Sequence, residues 1–93
     1  MTTYLALVHT DAPDNYGISF PDLPGCVSAG DTLEDVIANG GDAATFHLEG
    51  MAEDGIPTPR PRTLHELRRD EEFQALIGEA IVVPVRVPET AAA

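Results

Sequence analysis

The stretch Tyr16-Gly-Ile-Ser-Phe-Pro-Asp-Leu-Pro-Gly-Cys26 decides how this chain folds. It begins as a strand and changes character near its middle. Pro21 and Pro24 stop strand hydrogen bonding because proline has no backbone N–H, and Gly25 permits a tight bend. The seven residues Phe20–Cys26, called the turn segment below, therefore predict a rigid connection between two strands.

Upstream of this stretch, residues Thr3–Thr10 predict a first strand. Its apolar side chains fall on both alternating sets, which is typical of a central strand covered on both faces. Asp11–Asn15 is a cluster of turn-forming residues, so the first two strands should form a β-hairpin.

Downstream, Cys26–Ala29 predicts a short third strand, and Asp31 and Thr32 open a long helix. Thr32 followed by Asp35 fits a capping box, and Asp54-Gly55 fits a helix end. One apolar stripe should face the sheet, and it consists of Leu33, Ile37, Gly40, Ala44, Leu48 and Met51. The glycine on this stripe either permits close approach to the sheet or is a tolerated weak point.

The last third predicts a proline-spaced connector, a short helix that begins with a second capping box, a further helical turn and a fourth strand. Pro84 places that strand at an edge of the sheet, where a missing N–H needs no partner. The corresponding ranges are Ile56–Pro61, Thr63–Arg69, Glu71–Leu76 and Ile81–Val87.

These elements predict an α+β fold of order β-β-β-α-(α)-β, with an antiparallel sheet of the first three strands. A helix between the third and fourth strands favours a right-handed crossover, so the fourth strand should run parallel to strand one in the spatial order 3-2-1-4. Either the short helix or a second copy of the chain should cover the other face of strand one. We expect one domain over residues 1–88 and a loose tail over residues 89–93.

The charge of the chain is lopsided. Among 93 residues there are 16 acidic side chains against five arginines and no lysine, and all the arginines follow residue 59. Such a surface repels phosphate backbones and attracts basic partners, although net charge also simply favours solubility. No apolar run approaches a membrane span and the N-terminus lacks a signal peptide, so we expect a cytoplasmic protein with no membrane contact.

The sequence offers little catalytic chemistry. It has no Gly-rich phosphate loop, no His-Glu-x-x-His and no serine elbow, and its three histidines share no metal-ligand spacing. The lone Cys26 is better explained as a buried structural residue than as a catalytic thiol. Asp22 and Asp31 could approach each other and bind Mg²⁺ weakly, but turn formation and capping explain both more simply. We therefore predict no catalytic residues, no metal and no cofactor.

The run from Tyr16 to Val36 resembles the HicB-like antitoxins, as do Asn39, the helix end His47–Gly55 and the exit Ile56–Arg60. The resemblance covers nearly the whole chain, and only the helical Gly40-Gly41 departs from the family pattern. Its structural motif residues are Phe20, Pro21, Asp22, Leu23, Pro24, Gly25, Cys26, Gly30, Asp31 and Thr32.

This resemblance implies a partial ribonuclease H-like fold without nuclease function. It further implies that the partner is a small basic HicA-like toxin that cleaves messenger RNA. Many family members carry a C-terminal DNA-binding module, but no such segment follows the fourth strand here, so direct DNA binding by this chain is doubtful.

We accordingly expect an antitoxin that sequesters such a toxin, and a homodimer or tetramer because edge strands need cover. The toxin-binding residues predicted from the acidic surface are Asp11, Asp14, Glu49 and Glu53. The alternatives are a stand-alone regulatory or ligand-binding module of the same fold and, third, a residual metal nuclease.

Overall fold

The computed structural model describes residues 2–88, which form one four-stranded sheet with helices on both faces. The predicted loose tail, residues 89–93, lies outside the described residues. The elements in chain order are β1 (Thr2–Ala12), β2 (Asn15–Ser19), β3 (Val27–Gly30), α1 (Leu33–Glu53), α2 (Leu64–Arg68), α3 (Glu71–Ile77) and β4 (Ile81–Val87).

The strand order is β3-β2-β1-β4, as predicted. β1 and β2 form the expected hairpin, with Val8 opposite Ile18 and a bulge between Thr10 and Ala12. β3 pairs with β2 in antiparallel fashion. The central position of β1 explains why both of its side-chain sets are apolar.

The predicted direction of β4 is wrong: β4 runs antiparallel to β1, with Thr2 opposite Val87 and Val8 opposite Ile81. The prediction assumed a single helical return between β3 and β4. The chain instead traverses the sheet twice, first through α1 on one face and then through α2 and α3 on the other. It therefore enters β4 at the end of the sheet where β3 finishes, and the whole sheet is antiparallel.

The two faces of β1 belong to two separate cores. Tyr4, Ala6 and Val8 pack under α1, whereas Leu7 packs with Leu67 of α2 and Phe73 of α3. The short helices thus supply the cover that strand one needs. A second copy of the chain is not required for this purpose.

Of the two explanations that the sequence left open for Gly40, the structure supports close approach of α1 to the sheet. A Cβ atom at this position would lie 2.7 Å from Ile18 Cδ1, closer than van der Waals contact permits. Because Gly40 has no side chain, α1 can lie directly on β2.

The helix starts follow the predicted caps in part. Thr63 and Glu66 form the full reciprocal capping box of α2. At α1, Thr32 accepts a hydrogen bond from the Asp35 N–H at 3.0 Å, so the N-cap is the observed part of the predicted box.

None of the helices in the described part of the chain is long and apolar enough to cross a membrane.

Candidate protein-binding surface

The turn segment is a buried structural element. Phe20, Leu23 and Cys26 are buried, and two successive turns hold the chain path. The Leu23 N–H donates to the Phe20 carbonyl at 3.1 Å, and the Cys26 N–H donates to the Leu23 carbonyl at 3.0 Å. Gly25 adopts a φ of 85°, which residues with a side chain rarely adopt. The segment therefore sets where β3 begins.

Asp22 fastens the turn segment to the second half of the chain. Its side chain is only 5 % exposed and accepts from the Arg62 backbone N–H at 2.7 Å and from Arg62 Nε at 2.6 Å. Arg62 Nη1 also donates to Asp70, the N-cap of α3, at 2.6 Å. Arg62 and Asp70 were not predicted from the sequence, because Arg62 lies 40 residues from Asp22 and Asp70 lies eight residues from Arg62.

The electrostatics of this network follow from its hydrogen bonds. The hydrogen bonds that the guanidinium donates to Asp22 and Asp70 raise the pKa of Arg62, and the same guanidinium together with backbone N–H groups lowers the pKa of Asp70. Burial, with the charge of Asp22 beside it, raises the pKa of Tyr4, whose hydroxyl donates to the Pro59 carbonyl. These contacts fix the connector on the sheet.

The prediction that Asp22 and Asp31 could approach each other is wrong. Asp22 precedes β3 and Asp31 follows it, so the length of this strand separates them, and Arg62 occupies the carboxylate of Asp22. Within residues 2–88, no group of three or more histidine, cysteine, aspartate or glutamate side chains is placed to hold a metal ion.

Cys26 is buried and free, as expected of a structural cysteine. Burial raises the pKa of its thiol, which leaves less of the nucleophilic thiolate at neutral pH. This environment favours a packing role over a catalytic one.

The remaining motif residues, Gly30, Asp31 and Thr32, join β3 tightly to α1. A Cβ atom on Gly30 would lie 2.6 Å from the backbone nitrogen of Val36. Only glycine allows the helix to begin so close to the strand. β3 and α1 therefore touch at this end.

The four acidic residues predicted to bind a partner are exposed, but they lie at opposite ends of the molecule. Asp11 and Asp14 belong to the β1–β2 hairpin, at the end of the sheet where α1 begins. Asn15 Nδ2 donates to Asp11 Oδ1 at 2.8 Å, so this carboxylate also serves the turn. Glu49 and Glu53 lie in the last turns of α1, roughly 25 Å further along the helix at 1.5 Å per residue. They do not form one site with the hairpin.

The outward face of α1 combines acidic residues with an exposed aromatic ring. Phe46 is 79 % exposed and has Asp42 one turn before it and Glu49 one turn after it. No lysine or arginine occurs in α1. Phe46 was not predicted from the sequence. It lies outside the apolar stripe of α1, and the sequence does not show whether another part of the chain covers its ring.

Two open grooves flank this outward face, and Phe46 borders both. One, about 830 Å³, lies between α1 and the β3 edge and is named the α1–β3 groove. The other, about 850 Å³, lies between α1 and β4. α1 therefore presents a ridge between two depressions, a shape suited to binding another protein.

Comparison with known proteins identifies the class to which this fold and surface belong. Residues 4–91 match the family described as the HicB_like antitoxin of bacterial toxin-antitoxin systems. The chain belongs to this family.

One curated phage protein is similar to most of the chain. The chain is 41 % identical over 70 residues to an uncharacterized 14.9 kDa protein in the rep-hol intergenic region of Haemophilus phage HP1. That match covers 75 % of this chain and 53 % of the phage protein, so the chain spans about half the length of this curated relative.

Two solved structures are similar over nearly the whole chain. The crystal structure of the Burkholderia pseudomallei antitoxin HicB is 30 % identical, with a TM-score of 0.77, over 100 % of this chain and 67 % of that one. A structure of the HicA3 and HicB3 toxin-antitoxin complex is 26 % identical, with a TM-score of 0.73, over 95 % of this chain and 100 % of that one.

Proposed function

We propose that this chain is an antitoxin that binds and inhibits a small basic HicA-like toxin that cleaves messenger RNA. Its family membership and its similarity to a structure of a HicA3 and HicB3 complex support this function. The single structural observation that carries the proposal is the outward face of α1, where exposed carboxylates lie on both sides of Phe46 and α1 itself carries no lysine or arginine, although Arg86 lines the neighbouring groove between α1 and β4. Such a face complements a basic protein surface.

The toxin contact is placed on the C-terminal half of α1, at Glu49 and Glu53, with Phe46 as its apolar centre. Acidic residues at a helix C-terminus are unfavourable because the helix dipole is negative there. A partner's cation relieves that repulsion. Asp11 and Asp14 are kept as a second and separate contact, since the hairpin lies at the other end of the molecule.

The chain acts by binding rather than by catalysis. The one carboxylate of the turn segment, Asp22, is held by Arg62, and the thiol of Cys26 is buried. The Asp22 carboxylate and the Cys26 thiol therefore stabilise the fold and are not available for catalysis. We place this activity in the cytoplasm, where a messenger-RNA-cleaving partner has its substrate. Direct DNA binding is not assigned, because a net charge of −11 repels phosphates.

A homodimer or tetramer is also proposed. β4 is an edge strand that lies away from the α1–β3 groove, and an exposed strand edge can pair with a second copy. The covered second face of β1 removes one of the two reasons for expecting self-association. Light scattering at micromolar concentration tests the proposal, and a sharp monomer at every concentration contradicts it.

The function is tested by co-expressing the chain with any small basic protein that a neighbouring gene encodes and scoring growth. We expect growth arrest by the partner alone, rescue by this chain, and a complex that weakens as salt is raised. The absence of any salt-sensitive complex would rule the proposal out.

A matched pair of double variants locates the contact. Glu49→Gln with Glu53→Gln removes two charges from α1, and Glu71→Gln with Glu72→Gln removes two charges from α3. We expect the first pair to weaken binding at least ten-fold and the second pair to change it less than three-fold. Equal effects would mean that net charge, and not the α1 face, attracts the toxin.

A further inference from the structure

The α1–β3 groove has a definite shape that the fold imposes. Gly30 brings β3 against α1 at one end, and the turn segment lines the groove at the other end of β3. Gly25 and Cys26 form part of the groove wall opposite Met51. The rigidity of the turn segment therefore fixes the width of the groove before any partner arrives.

The lining of the groove is apolar and uncovered. Val27, on the β3 side, is 66 % exposed, and Phe46, on the α1 side, is 79 % exposed. Apolar side chains on facing walls favour an inserted apolar side chain, because insertion removes both from water. The neighbouring Met51 adapts its shape to what it contacts.

One wall of the groove is also a strand edge. Among residues 2–88, β2 is the only strand beside β3, so one row of β3 backbone groups has no strand partner. Asn39 binds the Ala29 carbonyl at 2.8 Å and so engages the end of β3 nearest the helix start. The end nearest Val27, beside the groove, can pair with a short extended segment.

The rim of the groove determines the sign of the ligand's charge. Asp42 and Asp54 lie along it, and no lysine or arginine does. Asp54 is the C-cap of α1, where the negative end of the helix dipole adds to its own charge. Because its net charge is −11, a second copy of this chain is a poorer occupant of this acidic groove than a basic segment. The groove therefore favours a cationic occupant.

We propose that the α1–β3 groove binds an extended, basic segment of the partner protein, which adds a strand to the edge of β3. An apolar side chain of that segment inserts between Val27 and Phe46, and a lysine or arginine pairs with Asp54. This inference rests on the proposed function and specifies where and how the toxin is held.

The test compares two exposed apolar residues on different surfaces. Phe46→Ala changes the groove, and Leu76→Ala changes α3, where Leu76 is 53 % exposed. Both side chains are mostly solvent-exposed, so both variants should fold, and circular dichroism verifies this. Affinity for the adjacent basic protein is measured by titration calorimetry. Hydrogen exchange of the β3 amides is measured with and without that protein.

We expect Phe46→Ala to weaken binding at least ten-fold, Leu76→Ala to change it less than two-fold, and the Val27 amide to gain protection in the complex. If the wild-type chain binds and Phe46→Ala binds equally well, or β3 gains no protection, the groove inference is overturned while the proposed function stands. If the wild-type chain binds nothing, the proposed function fails as well. Protection of β3 that instead rises with the concentration of this chain alone means that a second copy fills the groove, which also overturns the inference.

Discussion

The turn segment and the outward face of α1 differ in burial and in how easily each is recognised in the sequence. The turn segment is buried, held by two turns and fastened by the Asp22–Arg62 pair. The face around Phe46 is exposed and makes no comparable contacts within the described chain. The most recognisable stretch of the sequence is thus used mainly for folding, and the surface best suited to a partner has no conspicuous motif.

This difference follows from what each region must satisfy. A buried turn requires particular residues, because only proline, glycine and a charge-paired aspartate meet its backbone and burial constraints. A docking face requires only exposed apolar area and charge of the right sign, which many sequences provide. The following predictions exploit this contrast.

The largest effect is expected from truncating one apolar side chain in each region. Leu23→Ala should lower the free energy of unfolding by about 3 kcal/mol, because Leu23 is fully buried and its removal leaves a cavity. Phe46→Ala should change it by less than about 0.5 kcal/mol because the ring is mostly in water. Urea denaturation of both variants measures this difference, and similar losses would contradict the assignment of regions.

A second prediction concerns the pair that fastens the turn segment. Asp22→Ala should cost about 2–3 kcal/mol, because it removes one of the two carboxylate partners of the Arg62 guanidinium and leaves the Arg62 backbone N–H unsatisfied. Asp14→Ala, in the exposed hairpin, is the matched control and should be nearly neutral. Thermal unfolding compares the two, and a neutral Asp22→Ala would show that the network does not hold the fold.

A third prediction contrasts two glycines at the ends of the α1–β3 groove. Gly30→Ala should destabilise by about 1–3 kcal/mol, since its Cβ atom would overlap the α1 backbone. Gly50→Ala meets nothing within 4 Å and should stabilise α1 by about 0.5–1 kcal/mol. Chemical denaturation should therefore show a lower free energy of unfolding for Gly30→Ala and a higher one for Gly50→Ala. A neutral Gly30→Ala would mean that β3 and α1 are not held in contact.

The smallest effect is expected at the exposed Arg60–Glu66 pair. Hydrogen bonds from Arg60 and from the Thr63 backbone lower the pKa of Glu66 to about 2. A lowered folded-state pKa contributes stability above the unfolded value of about 4.5, and this contribution is lost as the pH falls toward 2. The advantage of the wild type over Glu66→Gln should therefore be present above pH 4.5 and disappear toward pH 2. Urea unfolding at several pH values measures it, and a pH-independent difference would contradict this origin.

Local patterns predicted most of the fold. The turn segment, the two-sided apolar β1, the Thr63 capping box and the bounds of β4 were confirmed, because each depends on residues close together in sequence. The strand order was also confirmed. The direction of β4 was wrong, since it depends on how often the chain traverses the sheet between β3 and β4.

The site was predicted less completely. The exposure of Glu49 and Glu53 follows from helical periodicity, and they remain predicted contacts. Phe46 was missed, and the separation of Asp11 from Glu53 could not be read from composition, because charge counts contain no distances.

The sequence by itself determined the family, the turn segment and the acidic character of the chain, because these depend on residue identity and on near neighbours. Tertiary structure alone decided that Asp22 meets Arg62 across 40 residues, that α2 and α3 cover the second face of β1, and that β3 and α1 enclose a groove beside Phe46. The physical reason is that contacts between distant residues depend on the path of the whole chain, which local preferences constrain but do not specify.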